Sequence, residues 1–147
     1  MPISLASLFD LRNQVAAITG GGGVLCGEMA RALADLGVKV AILDLQKAAA
    51  DKVAEAIVRA GGKATGVECD VLNPASLAAA RATVEQALGP VDILVNGAGG
   101  NNKKATTGGV TIADAIDPTF FDLDPEGVKF VFNLNFLGTL LPTQAFA

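Results

Sequence analysis

The chain has 147 residues, which is enough for one domain with a hydrophobic core and leaves little room for a second. Its formal net charge of −4 and the lack of a basic run argue against nucleic acid as the main partner. The absence of histidine excludes Ser-His-Asp and Cys-His catalysis. No apolar run reaches the roughly 20 residues of a membrane span, and the N-terminus lacks a secretion signal. We therefore expect no membrane partner and a cytoplasmic location.

A short apolar run from Val15 to Thr19 leads into four consecutive glycines, Gly20 to Gly23. Apolar residues at helical spacing follow, so this stretch predicts a strand, a tight turn and a helix. Glycine lets a ligand touch main chain there, and the helix N-terminus suits a phosphate. The spacing is near to the dinucleotide-binding fingerprint but not identical to it, so a glycine-rich turn without a ligand is an alternative.

The next predicted strand, 38–43, ends in Asp44. This acid lies roughly 20 residues beyond the glycines, where a carboxylate binds a ribose 2′-hydroxyl. The alternative is that Asp44 is an ordinary acid that caps the next helix. Together, the glycine turn and Asp44 make nucleotide binding the leading hypothesis.

The first predicted helix carries leucine and methionine at helical spacing, with small alanines beside them that allow close packing on a sheet. Gly37 ends it. We expect its apolar face to consist of Leu25, Met29, Leu33 and Leu36, with Ala30 and Ala34 beside them.

Strands and helices alternate up to residue 96, which predicts an α/β fold with a parallel sheet and helices on both faces. Ligands in such sheets bind beyond the carboxyl ends of the strands. Four strand ends meet there: Gly20 to Gly23, Asp44, Asp70, and Asn96 to Gly99.

Residues 101–122 form a polar segment too long for an ordinary connection, so it is either a functional loop or partly disordered. Lys103 and Lys104 have two interpretations: contact with an acidic substrate, or a place in a solvated loop without a ligand. Asp124 then starts a long helix, and the acids near it, Asp122 and Glu126, are explained as helix caps. This helix is apolar around most of its circumference, which indicates burial on more than one side.

The chain resembles the short-chain dehydrogenases/reductases. The motifs that carry the resemblance are Thr19-Gly20, Asp44, Asp70-Val71, Asn96-Gly97-Ala98-Gly99 and Asn135-Phe136-Leu137-Gly138-Thr139. It implies a Rossmann-type doubly wound sheet that binds NAD(P), with the pyrophosphate over the glycine turn. Asp44 implies NAD rather than NADP, because its charge repels a 2′-phosphate. The implied cofactor residues are Gly20, Gly21, Gly22, Gly23, Leu25, Asp44, Leu45, Asp70, Val71, Asn96, Gly97, Ala98 and Gly99.

By the same resemblance, Asn135 is the helix asparagine that helps to hold a proton-relaying water chain. The chain departs from the family pattern in two places. Val24 and Cys26 replace the last two glycines of Thr-Gly-x-x-x-Gly-x-Gly, and Gly97 replaces the second residue of Asn-Asn-Ala-Gly. The chain is also similar to a bacterial branch of mannonate oxidoreductases and fructuronate reductases, which suggests a sugar acid as substrate.

The family's catalytic serine, tyrosine and lysine have no counterpart in this chain, which contains no tyrosine and no serine after Ser76. We therefore expect residues 1–147 to be the cofactor-binding half of an oxidoreductase, a Rossmann domain that is incomplete at its C-terminus and inactive alone. The alternative is a stand-alone nucleotide-binding or interaction module. An open edge at the fourth strand and an uncovered long helix invite association or aggregation. The resemblance implies homo-oligomers formed through the long helix, which fits its apolar surface.

Overall fold

The computed structural model describes residues 10–109, 111 and 118–147. Most of the N-terminal lead-in and the middle of the 101–122 segment, residues 110 and 112–117, lie outside the described residues. The strands and helices, numbered in chain order, are β1 Val15–Thr19, α1 Val24–Asp35, β2 Lys39–Asp44, α2 Lys47–Arg59, β3 Lys63–Glu68, α3 Pro74–Leu88, β4 Ile93–Asn96, α4 Pro125–Phe132 and α5 Gly138–Phe146.

The four strands form a parallel sheet in the order β3-β2-β1-β4, which confirms the predicted fold class. All five residues of β1 are buried. Ile18 of β1 lies in register with Ile42 of β2 on one side and Val95 of β4 on the other. A strand that is covered on both faces needs apolar side chains throughout, which explains the continuous apolar run.

Alternate residues of β1 face two separate cores. Ala16 and Ile18 pack with α1 and α2, whereas Val15 and Ala17 pack with α3 and the end of α5. Helices therefore cover both faces of the sheet. The chain builds outward from β1 to β3 and then returns to place β4 on the other side of β1, so the strand order reverses between β1 and β4.

The buried face of α1 differs from the predicted one. Leu25, Met29 and Leu36 are 76%, 50% and 57% exposed, while Cys26 and Ala30 are buried. The helix turns its small side chains toward the sheet because a close approach leaves no room for leucine or methionine there. The prediction is therefore wrong for Leu25, Met29 and Leu36, and it is confirmed for Ala30, Leu33 and Ala34, which contribute to the core or pack against it.

The predicted long helix is interrupted. A π-helical turn, Asn133–Leu137, separates α4 from α5. Insertions of this kind shift the side chains that follow and often occur at functional sites. Phe132 and Phe136 are 69% and 66% exposed, so the burial on several sides that the apolar pattern predicted is not present within the described residues.

Asp124 caps α4 as predicted, because its carboxylate accepts a hydrogen bond from the Glu126 N–H. This bond, with help from Lys104, lowers the pKa of Asp124. Asp122 instead closes a capping box with Thr119 on a short 3-10 turn, Phe120–Asp122. None of the helices in the described part of the chain is long and apolar enough to cross a membrane.

Candidate nucleotide-binding site

A cleft of about 520 Å³ lies beyond the carboxyl ends of the strands, at the point where the strand order reverses. This is the place where open α/β sheets bind ligands. It brings together ten of the thirteen residues predicted to bind a cofactor; Gly21, Gly22 and Asn96 do not line it. The lining residues are Gly20, Gly23, Val24, Leu25, Cys26, Asp44, Leu45, Cys69, Asp70, Val71, Gly97, Ala98, Gly99 and Leu134.

The four glycines after β1 form hydrogen bonds to one another and to the end of β2. The N–H of Gly21 donates to the Leu43 carbonyl at 3.0 Å, and the N–H of Gly23 donates to the Gly20 carbonyl at 3.1 Å. The N–H of Gly22 donates to Asp44 Oδ2 at 3.0 Å. Three of the four glycine N–H groups are therefore already paired within the protein.

The donors that remain belong to the first turn of α1. Gly23 caps this helix without any side-chain hydrogen bond. Within the described residues, the N–H groups of Val24, Leu25 and Cys26 have no acceptor. Such a helix start attracts an anion through its free donors and its dipole. A phosphate in the cleft would thus meet the start of α1 rather than the glycine N–H groups.

Asp44 connects two elements. Its Oδ1 accepts the Gln46 N–H at 2.9 Å, just before α2, and its Oδ2 accepts the Gly22 N–H. The acid therefore fixes the entry to α2, which was the alternative interpretation of this residue, and it also holds the glycine turn. Its half-exposed carboxylate still borders the cleft, and its contact with a ribose stays a prediction.

Thr19 ties β1 to the loop after β4. This threonine is fully buried, and its Oγ1 accepts hydrogen bonds from the N–H groups of Gly97 and Ala98, both at 3.1 Å. Sequence reasoning used Thr19 only as part of a motif and did not identify it as a site residue. A polar residue at the end of an otherwise apolar strand was the signal that indicates such a role.

The two departures from the family pattern meet in space. A Cβ added at Gly97 would lie 2.2 Å from Cys26 Sγ, far inside any contact distance. Cys26 therefore fills the space that a side chain at position 97 would need. Cysteine in place of the last turn glycine and glycine in place of asparagine form one complementary packing pair.

Asn135 projects from the π-helical turn onto the same loop. Its Nδ2 donates to the carbonyls of Gly100 and Val131, both at 2.8 Å, and its Oδ1 accepts the Gly100 N–H at 3.2 Å. A Cβ at Gly99 would lie 2.6 Å from this oxygen. Asn135 thus clamps the loop that lines the cleft, and its part in a water chain stays a prediction.

Other predicted residues have separate contacts. The N–H of Asp70 donates to Ser76 Oγ at 3.0 Å, which holds the end of β3 against α3. Asn96 turns away from the cleft, because its Nδ2 donates to Thr143 Oγ1 at 3.0 Å. Its Oδ1 is buried without a partner in the described part of the chain. Lys104 pairs with Asp124 at 3.3 Å, so its charge is already engaged.

Both cysteines lie in the cleft as free thiols. Burial raises the pKa of Cys26, and the nearby Asp44 carboxylate raises it further. Burial likewise raises the pKa of Cys69 to about 11. Both stay protonated at neutral pH, which removes the thiolate that a cysteine nucleophile or ligand requires. The described residues contain no cluster suited to a metal ion.

The parallel sheet, the cleft at the reversal of strand order and the free helix start define a nucleotide-binding protein of the doubly wound α/β class. Residues 14–147 match the family model for short chain dehydrogenases. The chain therefore belongs to the short-chain dehydrogenase family, as the sequence motifs predicted.

Individual relatives agree with this assignment. An uncharacterized oxidoreductase of Haemophilus influenzae is 47% identical over 99% of this chain and 52% of its own length. The oxidoreductase UxuB of Bacillus subtilis, also uncharacterized, is 44% identical over 93% of this chain and 50% of its own length. The chain thus spans about half the length of the curated relatives that it matches.

A solved structure is similar over the same region. The crystal structure of a candidate D-mannonate oxidoreductase from Haemophilus influenzae, with bound NAD, has a TM-score of 0.88 and 47% sequence identity to this chain. The match covers 97% of this chain and 52% of that protein.

Proposed function

We propose that this chain is the dinucleotide-binding part of an NAD-dependent oxidoreductase that acts on a sugar acid or a related hydroxy or keto compound. The observation that carries the proposal is the cleft itself, where a helix start with free N–H groups and the Asp44 carboxylate border one space. NAD bound to the similar Haemophilus influenzae structure supports the choice of cofactor.

The residues of the cleft fit a dinucleotide. A Cβ at Gly20 would lie 2.9 Å from the Gly97 carbonyl, so glycine keeps the turn and the loop close together and leaves the cleft open above them. We assign the pyrophosphate to the N–H groups of Val24, Leu25 and Cys26, where the helix dipole favours negative charge. Asp70 and Val71 border the adenine, and Gly97 to Gly99 border the ribose next to the nicotinamide.

Cofactor preference follows from Asp44. Its carboxylate accepts hydroxyl hydrogen bonds from a ribose and repels a 2′-phosphate. No lysine or arginine lines the cleft to offset that repulsion within the described residues. NAD is therefore preferred over NADP. When bound, the nicotinamide carries the hydride, and the residues of this chain supply binding and orientation.

The 147 residues contain no tyrosine, so they lack the family's proton donor. We expect nucleotide binding without turnover from these residues alone, with Asn135 as a helper to a catalytic group that they do not include. The sugar-acid assignment draws on the name of the similar structure, and we assign the reaction to the cytoplasm.

Calorimetric titration of the 147-residue chain with NAD and with NADP tests this function. We expect NAD to bind at least about tenfold more tightly, a difference of roughly 1.4 kcal/mol. The variant Asp44→Asn should reduce that preference, while Asp35→Asn, an equal change of charge at an exposed position in the last turn of α1, should leave it unchanged. Equal binding of both cofactors, or of neither, would contradict the proposal.

We also propose that the segment from α4 to α5 mediates association between copies. Phe130, Phe132 and Phe136 are 46%, 69% and 66% exposed on it, an unusual density of large apolar side chains in contact with water. Light scattering over a concentration series should show oligomers that dissociate when Phe132 and Phe136 are both replaced by glutamine. An oligomer unchanged by this double variant would rule out this surface.

A further inference from the structure

Asp44 contacts three segments that border the cleft. Its side chain holds Gly22 in the glycine turn and the Gln46 N–H before α2. Its carbonyl accepts the Cys69 N–H at 2.8 Å, at the end of β3. No other acceptor in the described residues reaches the Gly22 N–H, so the carboxylate holds this peptide, while the neighbouring Gly21 and Gly23 are held by backbone carbonyls.

The limited space around Gly22 also restricts where the glycine turn can lie. A Cβ added there would lie 2.7 Å from the Ala49 side chain and 2.9 Å from Asp44 Oδ2. The turn is therefore held between α2 on one side and the carboxylate on the other. A shift of Gly22 moves the peptide links that lead directly into Val24 and Leu25, the donors assigned to the pyrophosphate.

We propose that Asp44 is a positioning residue for the phosphate-binding start of α1, in addition to the ribose contact, so that its loss weakens binding even of nucleotides that have no ribose hydroxyl groups. This inference rests on the proposed function. It implies that cofactor preference is not reversible at this position alone, because removal of the carboxylate releases the turn as well as the ribose.

The test separates the two roles of the carboxylate by comparing ADP with 2′,3′-dideoxy-ADP on the 147-residue chain. If Asp44 contacts only the ribose, Asp44→Asn leaves the affinity for dideoxy-ADP unchanged or raises it, because a negative charge near the diphosphate has been removed. If Asp44 also positions the turn, the affinity for dideoxy-ADP falls, and we expect a loss of about tenfold.

Hydrogen exchange in the free protein gives a second measurement that needs no ligand. The N–H groups of Gly22 and Gln46 face different oxygens of the Asp44 carboxylate, and Asp44→Asn replaces one of these oxygens with an NH2 donor, so one of the two bonds is lost. The bond to Gln46 is local and is retained more easily, which frees the Gly22 amide. Its exchange should accelerate by about tenfold in Asp44→Asn and stay unchanged in Asp35→Asn.

Gly22→Ala provides an independent variant that keeps the carboxylate. The added methyl group displaces the turn, so affinity for dideoxy-ADP should fall as it does in Asp44→Asn, and the double variant should lose less than the product of the two single losses. Gly27→Ala is the matched control, since its Cβ would meet only ordinary contacts at 3.5 Å or more.

Two outcomes overturn the inference: dideoxy-ADP bound by Asp44→Asn as tightly as by the unmodified chain, or an unchanged exchange rate at Gly22. Failure of the unmodified chain to bind either nucleotide would instead contradict the proposed function. The exchange rate would still decide whether Asp44 holds the turn, so the two failures are distinguishable.

Discussion

The two sides of β1 differ sharply in how completely they are built. On the side of β2, the glycine turn, Asp44 and the end of β3 are linked by paired backbone and carboxylate groups. On the other side, every residue of β4 is half-buried, and the α4 to α5 segment exposes several phenylalanines. The first region specifies its geometry within the described residues, whereas the second retains surface that is suited to further contacts.

The contact between Cys26 and Gly97 joins the two sides, and breaking it should have the largest effect. Gly97→Asn forces a side chain into the space of the Cys26 thiol and should cost about 3 kcal/mol of unfolding free energy. Urea denaturation measures this loss. Adding Cys26→Gly should recover at least about 1 kcal/mol of it, since the double variant restores the family pattern.

The control for that experiment is Gly100→Ala in the same loop. Its Cβ would lie 3.6 Å from the nearest atom, a side-chain carbon of Leu134, so little loss is expected. If Gly97→Asn is destabilised no more than this control, Cys26 and Gly97 are not a packing pair.

Thr19 is the second link between the two sides. Thr19→Val keeps the shape of the side chain and removes the oxygen that accepts the Gly97 and Ala98 N–H groups, which should cost about 2 kcal/mol. Thr83→Val is the matched control, because Thr83 donates only to a carbonyl on the exposed side of its own helix. Equal denaturation midpoints for the two variants would argue against a bridging role for Thr19.

A smaller effect is expected at the start of α4, on the less complete side. The pKa of Asp124 is lowered in the folded chain, so its stabilising contribution is present above the unfolded pKa and is lost as the pH falls through the folded one. The difference in melting temperature between the unmodified chain and Asp124→Asn should therefore shrink between pH 7 and pH 2. A pH-independent difference would mean that the charge does not contribute.

The smallest effect tests the exposed side directly. Phe136→Gln should change the unfolding free energy of the dilute chain by no more than about 0.5 kcal/mol, because the ring is 66% exposed. Phe146→Gln is the contrasting variant, since Phe146 is 7% exposed in the core with α3, and it should cost several times as much. Similar losses would show that the two faces of this segment are equally packed.

Local patterns predicted much of this molecule. The apolar run, the glycines and Asp44 predicted β1, the turn and the end of β2, because each depends on residues close in the sequence. The buried face of α1 was predicted only in part, since periodicity does not show which of the apolar side chains a close approach to the sheet leaves outside. The π-helical turn was also missed, because one extra residue barely disturbs a helix that is apolar on most sides.

Contacts between segments far apart in the sequence could not be predicted from local patterns. The polar Thr19 at the end of an apolar strand signals a role, but the local sequence does not show which segment Thr19 or Cys26 contacts. Both meet the loop after β4, which the pairing of β1 with β4 brings close. The cleft residues could therefore be named individually, whereas the hydrogen bonds and packing that fix them relative to one another required the structure.

The close packing of Cys26 against Gly97 constrains how this chain can change by substitution and recombination. Because a Cβ at Gly97 would lie 2.2 Å from Cys26 Sγ, we expect a larger residue at 97 to be accepted only after position 26 has become small. Recombination with a relative that carries glycine and asparagine at these positions would separate the pair at any crossover between them. The first strand-helix unit and the loop after β4 are therefore best exchanged together in chimeric enzymes.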